Sequence, residues 1–281
     1  MNGHEILACL ELAVYGTLSV PVMFCTFYYL LKGQTAWFYL HLFMVAKIAG
    51  PAIFLSISDK KNPSSDLETA AQILYSIALG PLLSATLSFV NTSSKSATTT
   101  ATPSDSYSSF VQMQSNAPFK GMLRFVHPVI MVGLVLGIIG GVYRTPDSQG
   151  VISDWDKYDR GATFAKASGA LFLVALAAIA LGVAGLFRSR ASLPTVSYYV
   201  ITVMPLVLPL ILLRVIYSIL NAANLDTTDH RGHTTRFNLM QGSWVIYLFL
   251  AFIPQSVTML AYTGCGVLAW FRDRKVEKYG S

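Results

Sequence analysis

Glu11, Lys47 and Arg214 each interrupt a stretch that is otherwise apolar: LACLELAVYG, HLFMVAKIAGP and VLPLILLRVIYSIL. Charges in such runs are costly in a bilayer and usually face a bundle interior or a wet cavity. Together they can form one polar cluster in the outer half of a bundle, in which the guanidinium faces a carboxylate or the polar head of a ligand. Tyr217 lies one helical turn beyond Arg214 and shares its face. Gln72 and Tyr75 open the third apolar run, and Gln255 reaches toward the middle of the seventh beside Pro254.

The composition fixes the medium these groups sit in. Of 281 residues, 53% are hydrophobic and 12% charged, and the mean hydropathy is +0.53. Soluble chains carry about a quarter charged residues, so the expectation is an all-α polytopic membrane protein. Seven spans of about 20 or more residues are expected near 6–31, 36–57, 70–90, 121–143, 162–187, 195–220 and 243–271. The first is too long for a signal sequence and lacks a basic segment before it, which predicts a retained helix. The whole chain, 1–281, reads as one transmembrane domain with no soluble domain and no internal repeat. The net charge of +6 comes from scattered cations rather than a basic stripe, which excludes nucleic acid as a partner. The lipid bilayer is the expected surrounding. The sequence leaves the oligomeric state open.

Depth and alternation place the charged residues relative to one another. At 1.5 Å per residue, Glu11 lies about 8 Å into its span, Arg214 about 9 Å from the far end of its own, and Lys47 near mid-membrane. Alternating spans bring Glu11 and Arg214 in from the same side. Arg214 is therefore expected to face inward, toward Glu11 or a ligand's head, with both lining one ligand-sized void. A buried ion pair that only fixes helix register uses the same residues, as does an arginine that snorkels to the interface.

Other stretches read more plainly. Gly133, Gly137 and Gly141 form a small-residue face for helix packing. The Ser/Thr-rich segment from Asn91, through 91–119, reads as a disordered loop, and SDWDKYD from Ser153 as a loop. Asp226, Asp229, His230 and His233 lack a fixed metal-binding spacing and read as a solvated loop, so no metal is expected. His127, with Arg124 one turn away, reads as a packing or interface histidine. Cys9, Cys25 and Cys265 read as small apolar fillers. No nucleophile elbow, phosphate loop or dinucleotide fingerprint occurs, and no cofactor is expected. The bias of Lys32, Lys95, Lys120, Arg188, Arg190 and the C-terminal cations to one side predicts a lumenal N-terminus and a cytosolic C-terminus, with the endoplasmic reticulum as the expected membrane.

Five stretches carry a family resemblance: ELAVYG at Glu11, ILYSIALGPLLSA at Ile73, HPVIMVGLVLGIIGG at His127, LPLILLRVIYSIL at Leu208 and FIPQSVTMLAY at Phe252. Together they resemble a fungal seven-helix integral membrane family that includes the ascofuranone-type membrane-bound terpene cyclases, among them those that close macrophorin-like drimane meroterpenoids. The resemblance runs through all spans, from about 10 to 270. It implies a seven-helix fold and a role in terpenoid secondary metabolism. It also implies cyclisation of a prenyl chain on an aromatic or quinone-like head, started by protonating an epoxide or alkene. Glu11, Arg214, Tyr217 and Lys47 are the implied catalytic group, and Tyr15, Gln72, Tyr75, Tyr247 and Gln255 the implied substrate contacts. Lys47 stands where the resemblance leads one to expect arginine, and Gln255 where a carboxylate is expected. A missing second acid favours epoxide opening over direct alkene protonation. A seven-helix receptor and a small-solute transporter are the competing classes. The receptor is weakened by the absence of a signalling tail and the transporter by the absence of a repeat.

Overall fold

The structure is a computed structural model that describes residues 3–58, 65–100, 117–144, 154–188, 193–223, 237 and 242–279. The described residues are helical almost throughout. The helices are α1 (Gly3–Leu30), α2 (Ala36–Ser58), α3 (Ser65–Ile77), α4 (Leu79–Thr100), α5 (Ala117–Tyr143), α6 (Trp155–Arg188), α7 (Thr195–Ala223), α8 (Trp244–Tyr247) and α9 (Ile253–Tyr279). A single π-helical turn, Leu248–Phe252, joins α8 to α9. Grouped by continuity, they make seven spans long and apolar enough to cross a membrane, with α3–α4 as the third and α8–α9 as the seventh. The chain is an integral membrane protein, and its spans fall where runs of about 20 apolar residues require them.

Its outer surface fits that medium. Val20, Phe27, Leu31, Val174, Leu181, Leu206, Phe249 and Leu260 are exposed, each more than half accessible. Water would not tolerate a surface so apolar without aggregation, whereas lipid solvates it. The centre is the third span. It has 72% of its apolar window buried, against 22–44% for the other six, and it contacts α2, α5, α6 and α7. The most extensive helix pair is α5 with α6, while α1 packs heavily on α2 and only lightly on the seventh span.

Proline shapes the two segments that matter most for the site. Pro21, Pro51, Pro128, Pro205 and Pro209 lie inside continuous helices. Pro81 instead coincides with a break at Ala78, between α3 and α4. Its ring has no N–H and crowds the carbonyl four residues back, so the turn around Ile77 opens. Pro254 lies two residues past the π turn, a kind of bulge often found at functional sites. At the α1–α2 turn, Gly33 has φ +77 and its N–H bonds the Leu30 carbonyl at 2.9 Å, a helix-ending conformation that favours glycine.

Two segments differ from the expectation. Asn91 to Thr100 continues α4 rather than forming a loop, with Ser93 and Ser94 buried. Their small side chains fit between helices. The Ser96 hydroxyl bonds back to the Thr92 carbonyl at 3.1 Å, which satisfies a polar group that composition alone counts against burial. Residues 101–116 lie outside the described residues. SDWDKYD is likewise not all loop: Asp154 accepts a hydrogen bond from the Lys157 backbone N–H at 2.9 Å, an N-cap for α6. Asp156 and Asp159 are exposed in its first turns. Asp226, Asp229, His230 and His233 lie outside the described residues.

The small-residue face packs as its spacing predicts. Gly133 meets Phe172 of α6, Gly137 meets Ser168, and Gly141 meets Ile73 of α3. The closest approach is at Gly140, where an added Cβ would lie 2.8 Å from the Gly161 carbonyl oxygen. Gly140→Val is therefore expected to force α5 and α6 apart at a cost of about 1–3 kcal/mol, lowering the midpoint of a detergent-solubilised thermal melt. Gly16→Val, at a position with nothing within 4 Å, should leave the midpoint within about 0.5 kcal/mol of wild type.

Candidate functional site

Glu11, Lys47 and Tyr247 meet in a closed triangle inside the bundle. The Tyr247 hydroxyl donates to Glu11 Oε1 at 2.6 Å. Lys47 Nζ lies 3.4 Å from the same oxygen and donates to the Tyr247 hydroxyl at 3.2 Å. Glu11 is 0% exposed and Lys47 1%. Three ring faces enclose the ammonium, with the centroids of Tyr15, Tyr75 and Tyr247 at 5.4–5.7 Å. A cation taken out of water needs such partners, because desolvation costs several kcal/mol even after relaxation.

The elements explain the meeting. Glu11 sits just over two turns into α1, and its face also carries Leu7, Ala8 and Tyr15, all buried. Lys47 projects from the buried side of α2 with Met44 and Pro51. Tyr247 is the last residue of α8, at the onset of the π turn. The extra residue of that turn offsets the faces before and after it, so Tyr247 points at Glu11 while Phe252 packs edge-on against Tyr15 at 6.1 Å.

Arg214 is in the same neighbourhood but has a different partner from the expected one. Its Nη2 donates to the Tyr75 backbone carbonyl at 3.2 Å, and its guanidinium lies 5.4 Å from the Tyr217 ring. That carbonyl sits on the turn loosened near Pro81, where the regular ladder ends. Lys47, not Arg214, takes Glu11, because the lysine stem spans the distance across α1 and α2. Arg214 is 1% exposed, and its Nε and Nη1 make no hydrogen bond. Neither polar atom of buried Gln255 has a partner. Two free donors on a buried guanidinium suit an oxygen-rich or anionic group. The Tyr217 hydroxyl donates to the Phe237 carbonyl at 3.1 Å, and its ring lies 6.0 Å from that of Tyr247. Tyr75 packs edge-on against Tyr247 at 5.9 Å.

Space at the cluster is narrow. A crevice of about 10 Å³ is lined by His4, Leu7, Ala8, Glu11, Phe54, Tyr75 and Tyr247, room for about one water. Among the described residues the space at Glu11 is this small crevice rather than the ligand-sized void expected from the sequence, with Tyr75 and Tyr247 in its wall. Gln72 does not join the cluster. It lies on another side of α3, in a separate cavity of about 40 Å³ with Ser76, Gly141, Arg144 and Ser168. The sequence reading also missed the bond from Tyr247 to Glu11, having taken Tyr247 as a ring face only. Alternation of spans was the available signal, since it starts span seven at the end where Glu11 lies.

The α1 seam with the seventh span is tied by hydrogen bonds along its length. His4 Nε2 donates to the Gly242 carbonyl at 2.8 Å, Ser256 to the Tyr15 hydroxyl at 3.2 Å, and Tyr29 to the Gly266 carbonyl at 2.8 Å. The Glu11–Tyr247 bond is part of this series. Among the described residues, no group of three or more metal-binding side chains occurs.

The triangle makes a double-mutant test. Lys47→Met and Glu11→Gln alone should each destabilise the fold by about 3–5 kcal/mol, since each strands a buried partner. The double variant should lose clearly less than their sum, read as thermal midpoints in one detergent. Additive losses would show that the two side chains do not act as a pair.

No curated protein and no solved structure matches the chain. Residues 1–271 match a family described as Domain of unknown function (DUF7702), and the chain belongs to that family.

Proposed function

We propose that this protein is a membrane-embedded terpene cyclase that closes the prenyl chain of a meroterpenoid by acid-initiated cyclisation. The observation that carries the reading is the Glu11–Tyr247–Lys47 triangle, a proton relay enclosed by tyrosine faces, with the free donors of Arg214 nearby. A prenylated substrate partitions into lipid and reaches such a site from the bilayer. Arg214 holds an oxygen of the substrate, either the epoxide or the polar head. The Tyr247 hydroxyl gives its proton to the epoxide oxygen as the C–O bond breaks, Glu11 takes the proton lost from carbon when the cation collapses, and it returns that proton to the Tyr247 oxygen across their 2.6 Å hydrogen bond. Tyr15, Tyr75, Tyr217 and Tyr247 shield the cation from water. Epoxide opening fits this set better than alkene protonation, because it needs a weaker acid. Entry of the chain requires the seam between α1 and the seventh span to part, and that seam is packed far more lightly than the α1–α2 contact. The proposed setting is the endoplasmic reticulum, with the N-terminus lumenal and the C-terminus cytosolic.

The small crevice favours a second reading. Space for one water passes protons more readily than a prenyl chain, so a proton-coupled carrier of small solutes is the alternative.

Microsomes containing the protein are to be offered a farnesylated phenol and its terminal epoxide. The expected result is a cyclised isomer from the epoxide. Glu11→Gln and Tyr247→Phe should each cut turnover by about 10²-fold or more per folded molecule, the scale of lost acid–base catalysis. Arg214→Lys should raise the half-saturating substrate concentration more than it lowers the maximal rate. No conversion by folded protein, together with Glu11-dependent proton flux in proteoliposomes, would replace the cyclase with the carrier.

A further inference from the structure

The cavity that holds Gln72 is built for a ligand of its own. It runs between α3, α5, α6 and α7. Its head is Arg144, the residue just past α5 and therefore at the membrane–water boundary. Arg144 is only 9% exposed. Its Nη2 makes a long bond, 3.4 Å, to the Asn221 carbonyl, its guanidinium also hydrogen-bonds the Tyr158 side chain with the ring 6.0 Å away, and its Nε has no partner. Among the described residues that line the cavity there is no carboxylate. A buried guanidinium with a free donor and no acid among those lining residues suits an anion.

The walls grade from polar to apolar. Near Arg144 stand Gln72, Ser218 and Asn221, and the inner end is closed by Leu134 and Phe172. The Ser168 hydroxyl is already engaged with the Gly133 carbonyl at 2.6 Å, so it is part of the wall. Gly141 lines the space, and a Cβ there would meet Ile73 of α3 at 3.4 Å, ordinary contact distance. From Arg144 to Gly137 is about 10 Å along the helix. A volume of about 40 Å³ suits a head group with its first carbons.

We propose that this cavity binds a carboxylate or phosphate group at Arg144, supplied by an anionic membrane amphiphile whose chain continues toward Leu134 and Phe172. The site is separate from the Glu11 cluster, on another side of α3, and does not depend on the cyclase reading.

The test uses the full chain in phosphatidylcholine nanodiscs and follows its thermal midpoint against added oleate, dodecyl phosphate, oleyl alcohol, acetate and inorganic phosphate. Oleate or dodecyl phosphate should raise the midpoint saturably by a few degrees, and oleyl alcohol should not. Arg144→Gln should raise the half-saturating concentration tenfold or more. Gly141→Leu, which keeps the charge and fills the cavity, should do the same, and it carries the test if Arg144→Gln does not fold. Saturation by acetate or inorganic phosphate at the concentrations that suffice for the amphiphiles would identify a free anion as the source of the same chemistry and overturn the amphiphile. An equal response to oleyl alcohol, or a response unchanged in both variants, would overturn the site.

Discussion

The ion pair between Glu11 and Lys47 constrains everything around it. A charge in hydrocarbon has few ways to persist, and pairing alone leaves lone pairs and protons exposed. Here the carboxylate takes a phenol and an ammonium on one oxygen, and the ammonium adds a phenol oxygen and three ring faces. Those partners come from α1, α2, α3 and the seventh span, so the demands of one buried charge fix the rotation of four spans. Sliding α1 by one residue would turn Glu11 by about 100° and strand Lys47. The apolar surfaces of these helices do not specify register so sharply, since lipid solvates an exposed leucine as well as a neighbouring helix does.

Backbone irregularity supplies what side chains do not. Arg214 has no carboxylate among its hydrogen-bond partners, and the acceptor it uses is the Tyr75 carbonyl. That carbonyl lies in the last turn of α3, next to the break at Ala78 beside Pro81, and irregular backbone at membrane depth is tolerated where protein covers it. The π turn at Leu248–Phe252 does a related job on the opposite wall by aiming Tyr247 at Glu11. Two local departures from the α-helix thus serve two buried charges, and each has a proline at hand.

The spans were legible in the sequence because length and apolarity decide them. Runs such as VLPLILLRVIYSIL have no alternative once about 20 residues must cross lipid. That Glu11, Lys47 and Arg214 point inward was legible too, from cost alone. Which cation takes Glu11 was not. Depth along each span is countable, but azimuth depends on how seven cylinders pack, and Lys47 wins through a choice of face that no spacing records. The end of α4 was misread for a different reason. Serine and threonine from Asn91 onward look unable to pack, yet a helix already inside a bundle satisfies their hydroxyls on its own carbonyls, and their small size becomes an asset between helices. Nothing in the sequence singles out Arg144. Its burial follows from the Asn221 carbonyl and the Tyr158 ring, contacts from two other spans.

The seam between α1 and the seventh span shows why a charged site sits where it does. Close apolar packing gives a helix pair stability that water cannot compete for, and the pair α5–α6 has it, down to the contact of Gly140 with Gly161. The α1 seam is lightly packed and instead carries bonds at His4, Glu11, Tyr15 and Tyr29. Hydrogen bonds contribute about 0.5–1.5 kcal/mol net each, because polar groups freed by opening find water or another polar partner. Such a seam therefore opens at lower cost than an interdigitated one of equal length. A crevice that reaches Glu11 lies on this seam, beside His4 and Tyr247. A proton-handling group needs intermittent access more than it needs a permanent channel, and a polar-tied seam supplies access without leaving the charge solvated at rest.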